Sequence, residues 1–258
     1  MSFGSLENLG RELAECRRLG RVVDLRLERI TAEDEADAVR DEAVAAYHSS
    51  VCGYRVAATS ALARRLLCCE TPVWTPLVAA EVQPGGTSLR LPPGVIGAGC
   101  ELAFVMARPY PLHGDEEVSR ASAGRAVAAC RPGIGILGRR VPGSKPLNAL
   151  TATADFGLGV AYVDGPDAEG WEAADLATVP VTALIDGQLV AAGRGGHVLG
   201  HPLEAVAWLA RALARRGGRL DAGDLVATGT CAGLLQILPG QTFTADFGGL
   251  GKVEVQLE

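Results

Sequence analysis

From about residue 78 to its end, the chain is cut into short apolar runs by glycine and proline, a pattern that admits strands and turns but few helices. The clearest run is CELAFVMA (100–107), flanked by Gly-rich and Pro-rich segments, which reads as a buried strand. GIGILGRR and TATADFGLGVAYV continue as strand-like pieces. In VPVTALIDGQLVAAGRG, Asp186-Gly187 between two apolar stretches predicts a hairpin with a type I′ turn. The closing QTFTADFGGLGKVEVQLE alternates like an antiparallel strand pair. Helices gather at the start and in two insertions. Residues 5–19 place Leu6, Leu9, Leu13 and Leu19 along one face. Residues 31–48 form the next helix, with Thr31 as N-cap and Asp34 close to a capping box. GYRVAATS then reads as a short strand and ALARRLLCC as a short helix. A longer helix spans 115–130, capped near Asp115, and PLEAVAWLARALARRG is opened by Pro202 and closed by Gly217-Gly218. The fold class is therefore α+β, with an N-terminal helical segment over 1–50 and a β-rich body over 51–258.

Composition narrows the functions. A chain of 258 residues with 48% hydrophobic and 21% charged residues buries a sizeable core and is not disordered. Its 30 acidic against 24 basic residues disfavour nucleic acid or an anionic membrane as partner. No apolar run is long enough to span a bilayer, and the charged start lacks a signal-peptide core, so a cytoplasmic protein is expected. Seven cysteines without regular spacing argue against a disulfide framework, and Cys68-Cys69 read as buried thiols. There is no GxGxxG before a helix, P-loop, GxSxG or HExxH. His197 and His201 stand four apart, but Gly195, Gly196, Gly200 and Pro202 break any helix that would turn them to one face. Trp74 and Trp208 read as core residues.

The C-terminal third, from AAGRGGHVLGHPLEAVAWLARALARRGG through LVATGT to PGQTFTADFGGLGKVEV, resembles the 2-keto-4-pentenoate hydratase and 4-oxalocrotonate decarboxylase branch of the fumarylacetoacetate hydrolase superfamily. Earlier pieces follow in family order. GYRVAATS is similar to GxKxGxTS, TPVWTPL to xPxxGxL, and GCELAFVMA to the ExE-bearing strand. RPGIGILGRR is similar to the PA(i/l)E segment, and ATADFGLGVAYVDGP to xxADNaSxgxyVxGp. The resemblance implies a mixed β-sheet roll with packed helices, a homo-oligomer, and a small-molecule substrate. It also implies a Mg²⁺ or Mn²⁺ ion held by three carboxylates, two on the ExE strand, where alternate residues face one side. A related enzyme is a possible partner.

Against that pattern the chain departs. The first strand carboxylate falls on Gly99 and the third ligand on Gly135, leaving Glu101; the family lysine falls on Arg55. The polar run keeps Asp155, but its Asn and Ser fall on Phe156 and Leu158. These losses predict no metal cofactor and a pocket made roomier at Gly99 and Gly135 and more apolar at Phe156 and Leu158. Three functions stay open. One is an enzyme without metal, acting on an oxo- or enol-bearing molecule by proton transfer, (de)hydration, decarboxylation or cyclisation, in specialised biosynthesis. Another is a non-catalytic scaffold for a related enzyme, and the third a true hydratase with a rearranged metal site. In the enzyme reading Glu101, Arg55 and Asp155 are catalytic, and Thr59, Ser60, Phe156, Leu158, His201, Thr230, Gly99 and Gly135 bind substrate. Structural roles are open as well: an ion pair of Glu101 with an arginine, of Arg55 with Glu101 or Asp155, a turn cap for Asp155, helix caps for Thr59 and Ser60, and loop support for Thr230 and His201.

Overall fold

The computed structural model describes residues 3–114 and 116–258. Among these residues, six α-helices and twelve strands run in the order α1 (Phe3–Arg18), α2 (Glu33–Ala46), β1 (Val51–Ala57), α3 (Ala61–Leu66), β2 (Val73–Val78), β3 (Val82–Pro84), β4 (Ser88–Leu89), β5 (Val95–Met106), α4 (Arg120–Ala126), β6 (Val127–Gly138), α5 (Ala149–Ala154), β7 (Gly159–Asp164), β8 (Pro180–Ile185), β9 (Gln188–Arg194), α6 (Pro202–Ala214), β10 (Leu225–Thr230), β11 (Thr242–Asp246) and β12 (Lys252–Leu257). They build a seven-stranded sheet, β2-β1-β10-β5-β6-β7-β3, and a five-stranded sheet, β4-β12-β11-β8-β9. Both are mixed, because β1–β10, β3–β7 and β4–β12 pair in parallel and the rest antiparallel.

Side-chain alternation along β5 fixes where the core and the site lie. Ala98, Cys100, Leu102 and Phe104 enter the main core with Ile134 and Ile136 of β6 and with Val181, Ala183, Phe243, Ala245, Val253 and Val255 of the other sheet. The apolar face of α6, with Val206, Leu209, Ala210 and Leu213, closes the same core. Gly99, Glu101 and Ala103 therefore face the opposite side of the seven-stranded sheet. A second core joins Leu6, Leu9 and Leu13 of α1 to Ala36, Val39 and Ala43 of α2, and reaches Val141, Ala154 and Phe156. Here Gly10 is required, since a Cβ at that position would stand 2.8 Å from the Val39 carbonyl oxygen.

Most sequence-derived elements fall where the periodicity places them. The hairpin turn has φ +52° at Asp186 and +76° at Gly187, as a type I′ turn demands. Differences arise at element ends. Leu19 lies past α1 and is exposed. The N-cap of α2 is Ala32 rather than Thr31; Glu35 instead accepts from the Thr31 backbone N–H at 2.9 Å. The helix expected over 115–130 is confined to α4, capped by Ser119, and residues 127–130 already belong to β6; the expected cap Asp115 lies outside the described residues. TATAD, expected as strand, is mostly α5. TPVWTPL supplies β2, an edge strand, where Pro76 is tolerated. Cys68 is exposed and Cys69 half-buried, beyond the end of α3, so the vicinal thiols are not the buried pair expected.

Asn148 caps α5 by accepting from Thr151 N–H at 2.9 Å, while Thr151 Oγ1 accepts from Asn148 N–H at 3.0 Å. Asn148→Ala removes the first of these bonds, and a loss of about 1 kcal/mol is expected in urea denaturation. The helix matters because it delivers Asp155, its C-cap residue, to the interior.

Candidate functional site

Five strands bring the site together by register. Gly99 on β5 stands opposite Gly135 on β6, and Glu101 opposite Gly133. Tyr162 on β7 is the partner of Gly135, and Thr230 on β10 is the partner of Glu101. Arg55 on β1 pairs with Ala227, which pairs with Ala103 of β5. Residues directly opposite in a sheet share a face, so Glu101, Arg55 and Tyr162 converge over a floor of glycines.

Glu101 is 3% exposed, and its Oε2 has no hydrogen-bond partner among the described residues; nor has the Tyr162 hydroxyl. Burial pushes the Glu101 carboxyl up, and the Arg55 guanidinium and the Gly229 backbone hold it back only in part. Tyr162 is driven well above the usual phenol range by burial and by the Glu101 charge. Arg55 is lowered by burial, with Glu101 opposing the shift. Its Nη2 donates to the Ala161 carbonyl at 3.0 Å and Nη1 to the Ile136 carbonyl at 3.4 Å, where the β6–β7 register shifts. The remaining N–H groups of its five engage no acceptor among the described residues. A buried carboxyl whose hold on the proton is strengthened by burial, beside a fixed cation and a phenol, is suited to accepting a proton and returning it.

The room expected at the two glycines is already filled. A Cβ on Gly135 would overlap Glu101 Oε1, and one on Gly99 would stand 2.8 Å from both Cβ and Oγ1 of Thr230. Glu101 has folded into the space beside Gly135, and Thr230 into that beside Gly99.

The other sequence candidates are placed elsewhere. Asp155 is held by Arg140, whose Nε donates to Oδ1 at 2.5 Å and whose backbone N–H donates to Oδ2 at 2.9 Å. Phe156, Gly157 and Leu158 follow in consecutive left-handed conformations, with φ of +54°, +59° and +65°. Two of these are non-glycine residues, so the turn stores backbone strain beside the site. Phe156 packs against the N-terminal helices, its ring edge-on to Tyr47 and 3.8 Å beneath the Arg17 guanidinium. Leu158 packs with Ala58, Leu67, Val73 and Ala152. Ser60 caps α3 by accepting from Ala63 N–H at 3.2 Å, and His201 caps α6 by accepting from Leu203 N–H at 3.2 Å. Burial, then Arg120, lowers the His201 pKa. Thr59 is buried beside Gly229, and Thr230 Oγ1 donates to the Gly233 carbonyl at 2.7 Å. Glu101, Arg55, Gly99, Gly135 and Thr230 are thus gathered on one face, while Ser60 and His201 lie at helix starts.

Sequence reasoning missed Tyr162, Arg140 and Arg17. Tyr162 was legible, since the alternation of GVAYVD puts it on the inward face of β7. Arg17 gave no such signal, being one more charge at the end of an amphipathic helix.

Helices packed around a mixed-sheet roll, with an acid and an arginine on the glycine-floored face, define the class. The chain belongs to the fumarylacetoacetate hydrolase C-terminal family, whose pattern matches residues 74–258. It is 30% identical over 162 residues to 4-oxalocrotonate decarboxylase of Pseudomonas putida, covering 63% of this chain and 54% of the relative. It is 30% identical over 158 residues to 2-keto-4-pentenoate hydratase of Paraburkholderia xenovorans strain LB400, covering 61% and 57%. The matched stretch spans little more than half the length of these lyase-type relatives. Among solved structures, 4-oxalocrotonate decarboxylase of Pseudomonas putida G7 superposes with a TM-score of 0.91 at 23% identity, over 100% of this chain and 99% of that one.

These comparisons correct the expectation of no metal cofactor. That decarboxylase is complexed with magnesium and adipate in one structure and with calcium and acetate in another. Fumarylpyruvate hydrolase of Pseudomonas aeruginosa, at a TM-score of 0.57 and 18% identity over 79% of this chain and 88% of that one, is complexed with Mn²⁺ and pyruvate. In this chain the donor set is thin at the corresponding strands. Glu101 shares that face with Asp164, which stands opposite Gly133 and accepts from Arg131 Nη1 at 2.6 Å, and no group of three His, Cys, Asp or Glu that could hold an ion occurs among the described residues. The residues present do not fit a three-carboxylate site.

Proposed function

We propose that the protein is a hydratase- or decarboxylase-type enzyme acting on a small carboxylated 2-oxo acid or its enol, with Glu101 as proton-transfer group and Arg55 as carboxylate anchor. The observation that carries this reading is the unpartnered Oε2 of Glu101, sealed from solvent beside the uncommitted N–H groups of Arg55. A guanidinium presents parallel N–H donors that match a carboxylate, which fixes the substrate end-on. Glu101 takes the proton of the substrate's enol hydroxyl as the oxo group forms, and returns it to the carbon that receives the electron pair. The Tyr162 hydroxyl donates to the developing oxygen. Family membership and the named activities of the relatives support this class of chemistry.

The test is turnover of 2-keto-4-pentenoate, followed in the ultraviolet with Mg²⁺ present. As a base, Glu101 must be ionised. Its raised pKa moves the acid limb of kcat/KM above the 4.5 of an ordinary glutamate. Arg55→Ala is expected to lower kcat/KM by about 100-fold, with a rise in KM, because a charged hydrogen-bonding pair is lost. A pH profile flat from 4 to 8, or full activity in Arg55→Ala, refutes the assignment.

A further inference from the structure

A second concentration of charge lies outside the Glu101 site. A cleft of about 640 Å³ opens between the C-terminal end of α1 and the segment 89–93. Arg17, Arg18, Arg21, Arg90 and Arg140 line it, and no aspartate or glutamate does. In a chain of formal charge −6 this is a local reversal of sign.

Two of the five arginines are neutralised from behind, Arg17 by Glu81 and Arg140 by Asp155. Arg18, Arg21 and Arg90 are exposed, and their side chains form no ion pair or hydrogen bond among the described residues. The dipole of α1 accounts for cations in its last turn, which are Arg17 and Arg18. It does not account for Arg21, Arg90 or Arg140, which come from other segments. Nor does it account for Arg17 being buried, with Nε and Nη1 lacking any partner. Sealed donors without acceptors are costly, and a guanidinium cannot escape by losing its proton. An anion in the cleft pairs with the exposed forks of Arg18, Arg21 and Arg90 and offsets the charge of Arg17, which lines the same cleft. The walls carry apolar surface from Leu19, Leu91, Pro92, Pro93 and Tyr47. The volume lies within the usual range for small-molecule sites. Neither Glu101 nor Tyr162 lines the cleft, although Ala161, whose carbonyl accepts from Arg55, does.

We propose that this cleft binds a small organic polyanion, two or three negative charges carried as phosphate or carboxylate on an apolar body, at a site separate from that of Glu101. The arginine forks suit either group.

The experiment is calorimetric titration of the full chain with pyrophosphate and, separately, with citrate. One-to-one saturable binding of at least one probe is expected, weakening several-fold between roughly 50 and 300 mM NaCl as exposed charges are screened. Stronger pyrophosphate binding assigns a phosphate head group, and stronger citrate binding a carboxylate. The triple variant R18Q/R21Q/R90Q touches exposed, unpaired side chains, so its melting temperature should stay near wild type while affinity falls at least about 10-fold. Glu101→Gln should bind as wild type even if it turns over no substrate, which separates this site from the catalytic reading. The proposal is overturned if neither probe saturates by about 10 mM, equivalent to a binding free energy weaker than about 3 kcal/mol. Undiminished binding by the triple variant, or loss of binding in Glu101→Gln, also overturns it.

Discussion

Glu101→Gln is expected to lower kcat by about 10²–10⁴-fold while leaving the fold intact, because the amide keeps the shape of the side chain but cannot carry a proton between substrate atoms. The variant also has a signature in stability. Burial raises the Glu101 pKa above its unfolded value of 4.5. The contribution of this group to stability is therefore full below pH 4.5 and is lost as pH rises through the folded value. Glutamine does not titrate, so the melting temperature of the wild type should fall relative to that of the variant as pH is raised from about 4.5 to 8. Loss of activity with this divergence identifies an acid that is functional and unfavourable to the fold. If the two melting curves run parallel across that range, Glu101 is not the strained acid described above.

Asp155→Ala should produce the largest loss of stability, about 3–5 kcal/mol, read from urea denaturation. Arg140 is buried and uses its whole fork. Nε bonds Asp155 Oδ1, Nη1 donates to the Gly159 carbonyl at 2.8 Å, and Nη2 donates to the Gly138 and Asp155 carbonyls at 3.0 Å each. Removing the carboxylate leaves a buried cation without its counter-charge, and frees the Arg140 backbone N–H that Oδ2 now accepts. It also unhooks the residue that starts the left-handed Phe156-Gly157-Leu158 turn. Asp167→Ala serves as contrast. That carboxylate, bonded to Arg131 Nε, is 64% exposed, so its loss should cost under about 1 kcal/mol. Equal effects from the two substitutions would mean that Asp155 is not the interior anchor assigned to it.

Where periodicity and turn chemistry agreed, the sequence was readable. The Asp186-Gly187 hairpin, the Pro202-initiated α6, the strand carrying Glu101 and the closing pair β11–β12 all follow from local pattern. Element ends were less legible, because tertiary pairing overrides propensity. Residues 127–130 (VAAC) are helix-compatible on their own, but become strand by pairing along β5. TATAD reads as strand-like until the Asn148 cap commits it to helix. The candidate site was legible in its membership at Glu101, Arg55, Gly99, Gly135 and Thr230, since the motif order carried those positions. Their roles were not. Asp155 resembles a catalytic acid in sequence and is held by an arginine fifteen residues before it.

Taken alone, the sequence determined the α+β class, the family resemblance, and the replacement of two expected carboxylates by Gly99 and Gly135, because these depend on residue type and spacing. Only the tertiary structure decided what occupies the vacated space. Glu101 Oε1 lies beside Gly135 and Thr230 beside Gly99, so the glycines admit neighbouring side chains rather than an open pocket. Only it, too, gathered Arg17, Arg21, Arg90 and Arg140 from distant segments around one cleft. The physical reason is common to both. Strand register and helix packing set which side chains meet, and electrostatic and steric meaning arises only once they do.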